Sequence, residues 1–203
     1  MIQHFSFVHK GNYYHYRLNK ENLEKINFEP LKEFLLNVKE KCPNKYFNSG
    51  LRSSSLKFNI PCKLAKIENY EICDLAKLGL DVNEERFKSG HTKVQVFFLE
   101  NDKKSIAAEI PVWFEENENE VIKENLTGHI DLLRYEDGKI WIWDYKPNAL
   151  NEKYAATQLY FYAMMLSERT GINLENIRCG YFDSAYAFTF KPGNVKFKKL
   201  IVE

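Results

Sequence analysis

Two acidic residues and a lysine within one short stretch are the residues of this chain best suited to chemistry. Asp131 lies at the end of one apolar run, and Asp144 and Lys146 lie at the end of the next. Side chains two residues apart in a β-strand share a face, so Asp144 and Lys146 should project together. Carboxylate oxygens are the ligands of hard divalent cations. Two carboxylates that converge near one lysine therefore predict a site for Mg²⁺ or Mn²⁺.

Such a site is suited to hydrolysis of a phosphodiester bond. The phosphate repels a negatively charged nucleophile, and the alkoxide is a poor leaving group. A divalent cation lowers the pKa of bound water, neutralises the phosphate and stabilises the departing oxygen. Asp131 and Asp144 would bind the cation, and Lys146 would orient the attacking water or offset charge on the phosphate.

The elements that must position these residues begin with a hairpin. Asp137-Gly138 joins the two apolar runs and is a typical two-residue hairpin turn. Antiparallel pairing across this turn would bring Asp131 alongside Asp144.

The rest of the chain predicts helices in its first half and strands near its end. Apolar spacing predicts two helices from Asn19 to Lys41, and a further helical stretch from the serines at 53–55, interrupted at Pro61, to a C-terminal cap at Gly79. The segment 92–101 fits a strand or a helix equally well. The other predicted strands are a hairpin within residues 1–18, Ile106 to Phe114, Ile177 to Phe182, Tyr186 to Phe190 and Val195 to Val202.

This order of elements predicts an α/β protein with a central mixed sheet flanked by helices. We expect a mainly helical, basic N-terminal lobe over residues 1–85 and a core over residues 86–203, joined as one compact unit. A chain of 203 residues is long enough for such a core.

Composition excludes several other classes of protein. We find no apolar run of the roughly 18 residues that a membrane span needs, and the N-terminus lacks the pattern of a secretory signal. An intracellular location is therefore expected. Four cysteines without the close paired spacing of a zinc site are expected to be buried thiols: Cys42, Cys62, Cys73 and Cys179.

Positive charge is concentrated in the first part of the chain. The densest basic segment runs from Lys32 to Lys66 and contains only Glu33 and Glu40 as acidic residues. It favours either contact with a polyanion or a solvated helical surface, and charge alone leaves both open.

In three motifs the chain resembles the PD-(D/E)xK nuclease superfamily, and within it the RecB-type branch that includes the CRISPR-associated RecB-like exonucleases. The motifs are Gly128-x-x-Asp131, Asp144-x-Lys146 and Gln158-x-x-x-Tyr162. Asp-x-Lys alone occurs by chance in many proteins, but the three motifs together at these spacings form a specific pattern. Gly90-His91, the strand around Glu109, and the serines at 53–55 with Cys62 give weaker support.

The resemblance implies a restriction-endonuclease-like core and a role for each motif residue. Asp131, Asp144 and Lys146 would be catalytic. The metal set would comprise His91, Asp131, Asp144 and Tyr145. Gln158 and Tyr162 would contact the substrate, and Glu109 would have either a metal-linked or a structural role.

One departure from the branch concerns iron. Several members hold an iron–sulphur cluster, which usually requires four thiolates. Here only Cys179 follows the catalytic segment. No cluster is therefore expected.

Two classes of function follow. The first is a metal-dependent deoxyribonuclease, an exonuclease on single-stranded ends by resemblance, with a structure-specific endonuclease as the close alternative. The second is a non-catalytic nucleic-acid-binding module that retains the nuclease fold. The expected partner is DNA, preferably single-stranded, with no membrane; homo-oligomerisation is left open.

Overall fold

The structure is a computed structural model that describes residues 1–196. Its strands are β1 Ile2–His9, β2 Asn12–Asn19, β3 Leu51–Arg52, β4 Ala65–Glu68, β5 Ser105–Phe114, β6 Leu126–Glu136, β7 Lys139–Tyr145, β8 Ile177–Phe182 and β9 Tyr186–Phe190. Its α-helices are α1 Lys20–Leu23, α2 Glu29–Lys41, α3 Asn44–Ser49, α4 Glu71–Val82, α5 Gly90–Asn101 and α6 Ala155–Thr170.

The strands described form one sheet in the order β1-β2-β5-β6-β7-β8-β9-β4, with β3 beside β6. β7 pairs in parallel with β8, and β3 pairs in parallel with β6. The other pairs are antiparallel. The predicted mixed sheet with flanking helices is therefore confirmed.

Helices bury the central strands and hold them rigidly. α6 packs on β5, β7 and β8, whereas α4 and α5 pack on each other and α5 also contacts β5. The larger apolar cluster contains Ile142 and Phe161, and the smaller contains Phe98, Trp143 and Phe182.

The hairpin of β6 and β7 is formed as predicted. Asp137 has φ 50° and Gly138 has φ 69°, so both turn residues are left-handed, as a type I′ turn requires. Glu136 then pairs with Lys139, and the register continues to Leu132 opposite Trp143. One residue further along, Asp131 faces the strand that carries Asp144.

The structure corrects one sequence-based prediction and decides between the two alternatives of another. The predicted helical stretch before Gly79 is wrong at Ala65–Glu68, which forms β4 and pairs with β9 at the edge of the sheet. Gly79 lies inside α4 rather than at a cap, and its missing Cβ lets α5 approach: a Cβ would lie 2.9 Å from that of Phe97.

The ambiguous segment 92–101 is helical. Periodicity failed here because pairing and helix contact, not local spacing, select the conformation.

The first 85 residues supply strands to the same sheet as the rest of the chain. β2 pairs with β5, β3 with β6, and β4 with β9. The division at residue 85 stays a prediction. The predicted strand at Val195 to Val202 falls almost entirely outside the described residues. None of the helices within residues 1–196 combines the length and apolar character that a membrane span requires.

Gly180 of β8 offers a test of this packing, because a Cβ there would lie 2.3 Å from Cζ3 of the buried Trp143. Gly180→Ala is expected to lower the free energy of unfolding by about 1–3 kcal/mol through overpacking. Thermal unfolding monitored by circular dichroism measures this change. Gly90→Ala is the matched control, because its Cβ would meet its nearest neighbours at 3.7 Å. Equal melting temperatures for the two variants would contradict the packing described.

Candidate active site

Three neighbouring strands place one acidic residue each in a row across the sheet. Paired residues on both sides of Glu109 in β5 put it opposite Asp131 in β6. Extending the register of β6 and β7 by one residue puts Asp131 opposite Asp144. Side chains directly opposite each other on paired strands lie within contact distance. The sheet therefore concentrates three carboxylates, and Asp144 is only 1% exposed.

Lys146 brings positive charge to this row. Its Nζ lies 2.7 Å from Oδ2 of Asp144 and donates a hydrogen bond of 3.1 Å to Oε1 of Gln158. The contact with Asp144 is a close ion pair between a partly buried ammonium group and a buried carboxylate.

Helix α5 brings His91 close to Asp131. The Ser89 side chain caps this helix by accepting a hydrogen bond from the backbone N–H of Thr92. Nε2 of His91 lies 3.8 Å from Oδ2 of Asp131. Burial lowers the pKa of His91, so the imidazole is neutral at pH 7 and has a lone pair for a metal ion.

Glu109 is held in an unusual backbone conformation. Its φ is 56°, in the left-handed region that non-glycine residues rarely occupy within a strand. Nε2 of Gln95 donates a hydrogen bond of 2.8 Å to Oε1 of Glu109. Sequence reasoning missed Gln95, although its position four residues after His91 puts both on one face of α5.

Helix α6 supports Lys146 through Gln158 and Tyr162. Nε2 of Gln158 donates a hydrogen bond of 2.7 Å to the hydroxyl of Tyr162. The ring of Tyr162 fits against Gly128, where a Cβ would lie 2.1 Å from Cε1 of Tyr162. Tyr162 is buried, whereas Gln158 is half-buried. The predicted contacts of both residues with substrate stay predictions; the geometry links them to the lysine.

Tyr145 contacts the row through its backbone. Its N–H donates a hydrogen bond of 3.2 Å to Oδ2 of Asp131. Its side chain packs in the smaller apolar cluster and meets the ring of His91 edge-on, with centroids 5.2 Å apart. The side chain thus positions neighbours, and only the main chain faces the carboxylates.

The carboxylates affect one another electrostatically. Burial, Asp144 and Glu109 raise the pKa of Asp131 well above its usual value of 3.8. Burial raises the pKa of Glu109, and the Gln95 hydrogen bond opposes this change. Burial lowers the pKa of Lys146, but Asp144 and Asp131 outweigh that effect and the pKa is raised. Lys146 therefore remains an ammonium group at neutral pH.

These residues have the donor chemistry for a hard divalent cation. Residues 1–196 contain no group of three or more His, Cys, Asp or Glu side chains already arranged to hold a metal ion. The buried carboxylate of Asp144 and the repulsion at Asp131 nevertheless fit a cation, which would bind to the first and relieve the second. The residues fit such a group chemically, although the coordination shell is not preassembled.

The cysteines lie away from the acidic row. Cys42, Cys73 and Cys179 are buried and Cys62 is half-buried, all as free thiols. Burial raises the pKa of Cys42 to about 12 and that of Cys73 to about 11, so both are protonated at neutral pH. The expectation that the chain holds no iron–sulphur cluster stays a prediction.

Asp131→Asn tests the repulsion directly. The amide keeps an acceptor for the Tyr145 N–H but removes one charge, so in EDTA at neutral pH the variant should be more stable. A pKa unit corresponds to about 1.4 kcal/mol, which at this chain length shifts the melting temperature by roughly 2–5 °C. Because the folded protein holds the Asp131 proton more tightly than the unfolded chain, wild-type stability falls as pH rises above 3.8. The advantage of the variant should therefore shrink towards acid pH.

Addition of Mn²⁺ completes this test. It should raise the melting temperature of the wild type and leave Asp131→Asn unchanged. Asp81→Asn, at an exposed position of α4, is the control and should behave as wild type. A loss of stability of Asp131→Asn in EDTA, or its full stabilisation by Mn²⁺, would contradict the geometry.

Comparison with known families identifies the fold and the superfamily. The family model described as the PD-(D/E)XK nuclease superfamily matches residues 74–201, more than half of the chain. The matched residues include α5, α6 and the strands β5, β6 and β7, which carry the three carboxylates. The match confirms the predicted restriction-endonuclease-like fold. No significant match was found among curated proteins or among solved structures. The chain belongs to the PD-(D/E)XK nuclease superfamily.

Proposed function

We propose that this protein is a metal-dependent nuclease that hydrolyses phosphodiester bonds in DNA and acts on single-stranded ends. The observation that carries the proposal is the meeting of Asp131, Asp144 and Lys146 at one point. Lys146 Nζ lies 2.7 Å from Asp144, and Asp131 accepts a hydrogen bond from the residue between them.

Asp131 and Asp144 are proposed as the ligands of Mg²⁺ or Mn²⁺, with His91, Glu109 and the backbone of Tyr145 as the further candidates beside them. When bound, such a cation lowers the pKa of water and stabilises negative charge on the phosphate and the leaving oxygen. His91 is suited to ligation because its imidazole is neutral and 3.8 Å from Asp131.

Lys146 is proposed as the catalytic lysine. Its ammonium group is held by Asp144 on one side and by Gln158 on the other. An ammonium group has three donors, so one N–H remains for the attacking water or a phosphate oxygen. Preorganised donors of this kind stabilise developing charge without the cost of reorientation.

Gln158 is proposed to contact the substrate backbone, and Tyr162, predicted as a second contact, is proposed to support it. Gln158 is half-buried and adjacent to the lysine, which supports a contact near the reacting phosphate. Tyr162 is buried behind Gln158, so we expect it to act mainly by holding the amide in place.

The preference for single-stranded ends rests on the resemblance to the RecB-type branch. A structure-specific endonuclease is the alternative. Linear and circular single-stranded DNA of equal sequence separate the two, because an exonuclease degrades only the linear form. Linear duplex and matched RNA substrates test the preference for single strands and for DNA.

Substitution of the central residues tests catalysis. Asp144→Asn and Lys146→Ala are each expected to reduce the cleavage rate of labelled DNA in Mg²⁺ or Mn²⁺ by about 100-fold or more, since each removes a charge that acts on the reacting phosphate. Lys77→Ala, an exposed lysine of α4, is the control and should cleave as wild type.

Two results would contradict the proposal. Equal cleavage by the wild type, Asp144→Asn and Lys146→Ala would remove these residues from catalysis. Binding of DNA by the wild type without cleavage in either metal would favour the non-catalytic binding module.

A further inference from the structure

A groove beside the candidate active site lacks an assigned role. It has a volume of about 460 Å³ and lies along β3 and the turn that follows it. Its polar lining comprises Lys10, Ser49, Arg52, Ser54, Ser55 and Glu124. Two cations and three hydroxyl groups thus face one carboxylate.

The strand that lines the groove contacts elements of the active site. Ser53, next to Arg52, donates a hydrogen bond of 3.0 Å to the backbone carbonyl of Thr127. Ser53 and Tyr162 both approach Gly128 so closely that each would lie within 2.6 Å of a Cβ added there. From Tyr162, hydrogen bonds lead through Gln158 to Lys146. Arg52 itself pairs with Thr127 of β6, the strand that carries Asp131.

Arg52 differs from several other cations of the basic segment. Lys32, Lys41 and Lys66 each form a salt bridge with a nearby glutamate. Among residues 1–196, no salt bridge to Arg52 is formed. Its guanidinium lies instead over the ring of Tyr14, with Cζ 5.2 Å from the centroid. The charge of Arg52 therefore remains available for an anion.

Tyr14 braces Arg52 and is not itself free to stack a base. Its ring stacks on His129, with centroids 3.7 Å apart and planes at 2°. His129 is in turn fixed by a contact of 2.9 Å between its Nε2 and Nδ1 of His9. A guanidinium stacked on an aromatic ring keeps its N–H groups at the edge, where they match two oxygens of a phosphate.

We propose that this groove binds the phosphate backbone of a single-stranded nucleic acid next to the reacting phosphate, with Arg52 as the phosphate contact. The proposal rests on the nuclease function proposed above and names a substrate-positioning residue for it. Ser54 supplies a neutral donor beside Arg52, and Lys10 adds a second positive charge. Contacts of these kinds hold the backbone without reading sequence.

Binding without cleavage tests the proposal. The probe is a labelled single-stranded DNA of about 16 nucleotides, a length within known site sizes, followed by fluorescence anisotropy in EDTA. Arg52→Gln is expected to weaken binding about tenfold and to reduce the slope of log K against log salt by about 0.7, as loss of one phosphate contact requires. The affinity of Arg52→Lys for the DNA should lie between those of the wild type and Arg52→Gln, because lysine keeps the charge but cannot form the bidentate contact with a phosphate.

The matched control is Arg178→Ala, which removes the same charge from the far end of β8 and should bind as wild type. Melting temperatures of all variants are compared with wild type, and Arg52→Lys serves as the readout if Arg52→Gln is unstable. The groove proposal would be overturned if Arg52→Gln bound the DNA with wild-type affinity or if Arg178→Ala lost as much affinity as Arg52→Gln. It would also be overturned if the wild type did not bind the DNA.

Cleavage assays on the same variants separate the two proposals. If the wild type cleaves DNA and Arg52→Gln binds and cleaves equally well, the groove fails and the nuclease function stands. If the wild type binds through Arg52 but does not cleave, the groove stands and the nuclease function fails.

Discussion

The site depends on the repulsion between carboxylates that the sheet forces together. Glu109, Asp131 and Asp144 come from three adjacent strands, and their mutual distance is fixed by hydrogen bonding of the backbone. Burial and the neighbouring charges raise the pKa of Asp131. Lys146 offsets part of this negative charge, and its own pKa rises in response. A cluster of this kind is costly without a cation, which is why it points to function more strongly than any single residue does.

Much of the surrounding structure serves to hold this cluster. The I′ turn at Asp137-Gly138 sets the register of β6 and β7. The absence of a Cβ at Gly128 gives Tyr162 the space to support Gln158. Glu109 keeps a left-handed φ of 56° in mid-strand, and the bond from Gln95 holds its carboxylate. Strain that is retained at such a position is typical of functional sites.

The sequence predicted the parts of the site that depend on local pattern. Strand alternation placed Asp144 beside Lys146, and the hairpin signal placed Asp131 near them; the structure brings these three together. Their roles in metal binding and catalysis stay predictions. The segment 92–101 remained ambiguous and Ala65–Glu68 was assigned wrongly, because a neighbouring strand or helix decides the conformation of a short apolar run.

Other features lay beyond sequence reasoning because they depend on distant contacts. Gln95 meets Glu109 only after α5 packs on β5. Arg52, Tyr14 and His129 come from three separate parts of the chain and stack only in the folded protein. No spacing rule relates such residues, so their proximity is a result of the fold.

The most direct test of the central claim is a crystal structure of the protein with Mn²⁺, with anomalous diffraction used to locate the metal. We expect an anomalous peak between Asp131 and Asp144, within about 2.3 Å of an oxygen of each, as is usual for a hard cation. Full occupancy of a site elsewhere, with Lys146 still paired to Asp144 and no peak between the two carboxylates, would contradict it.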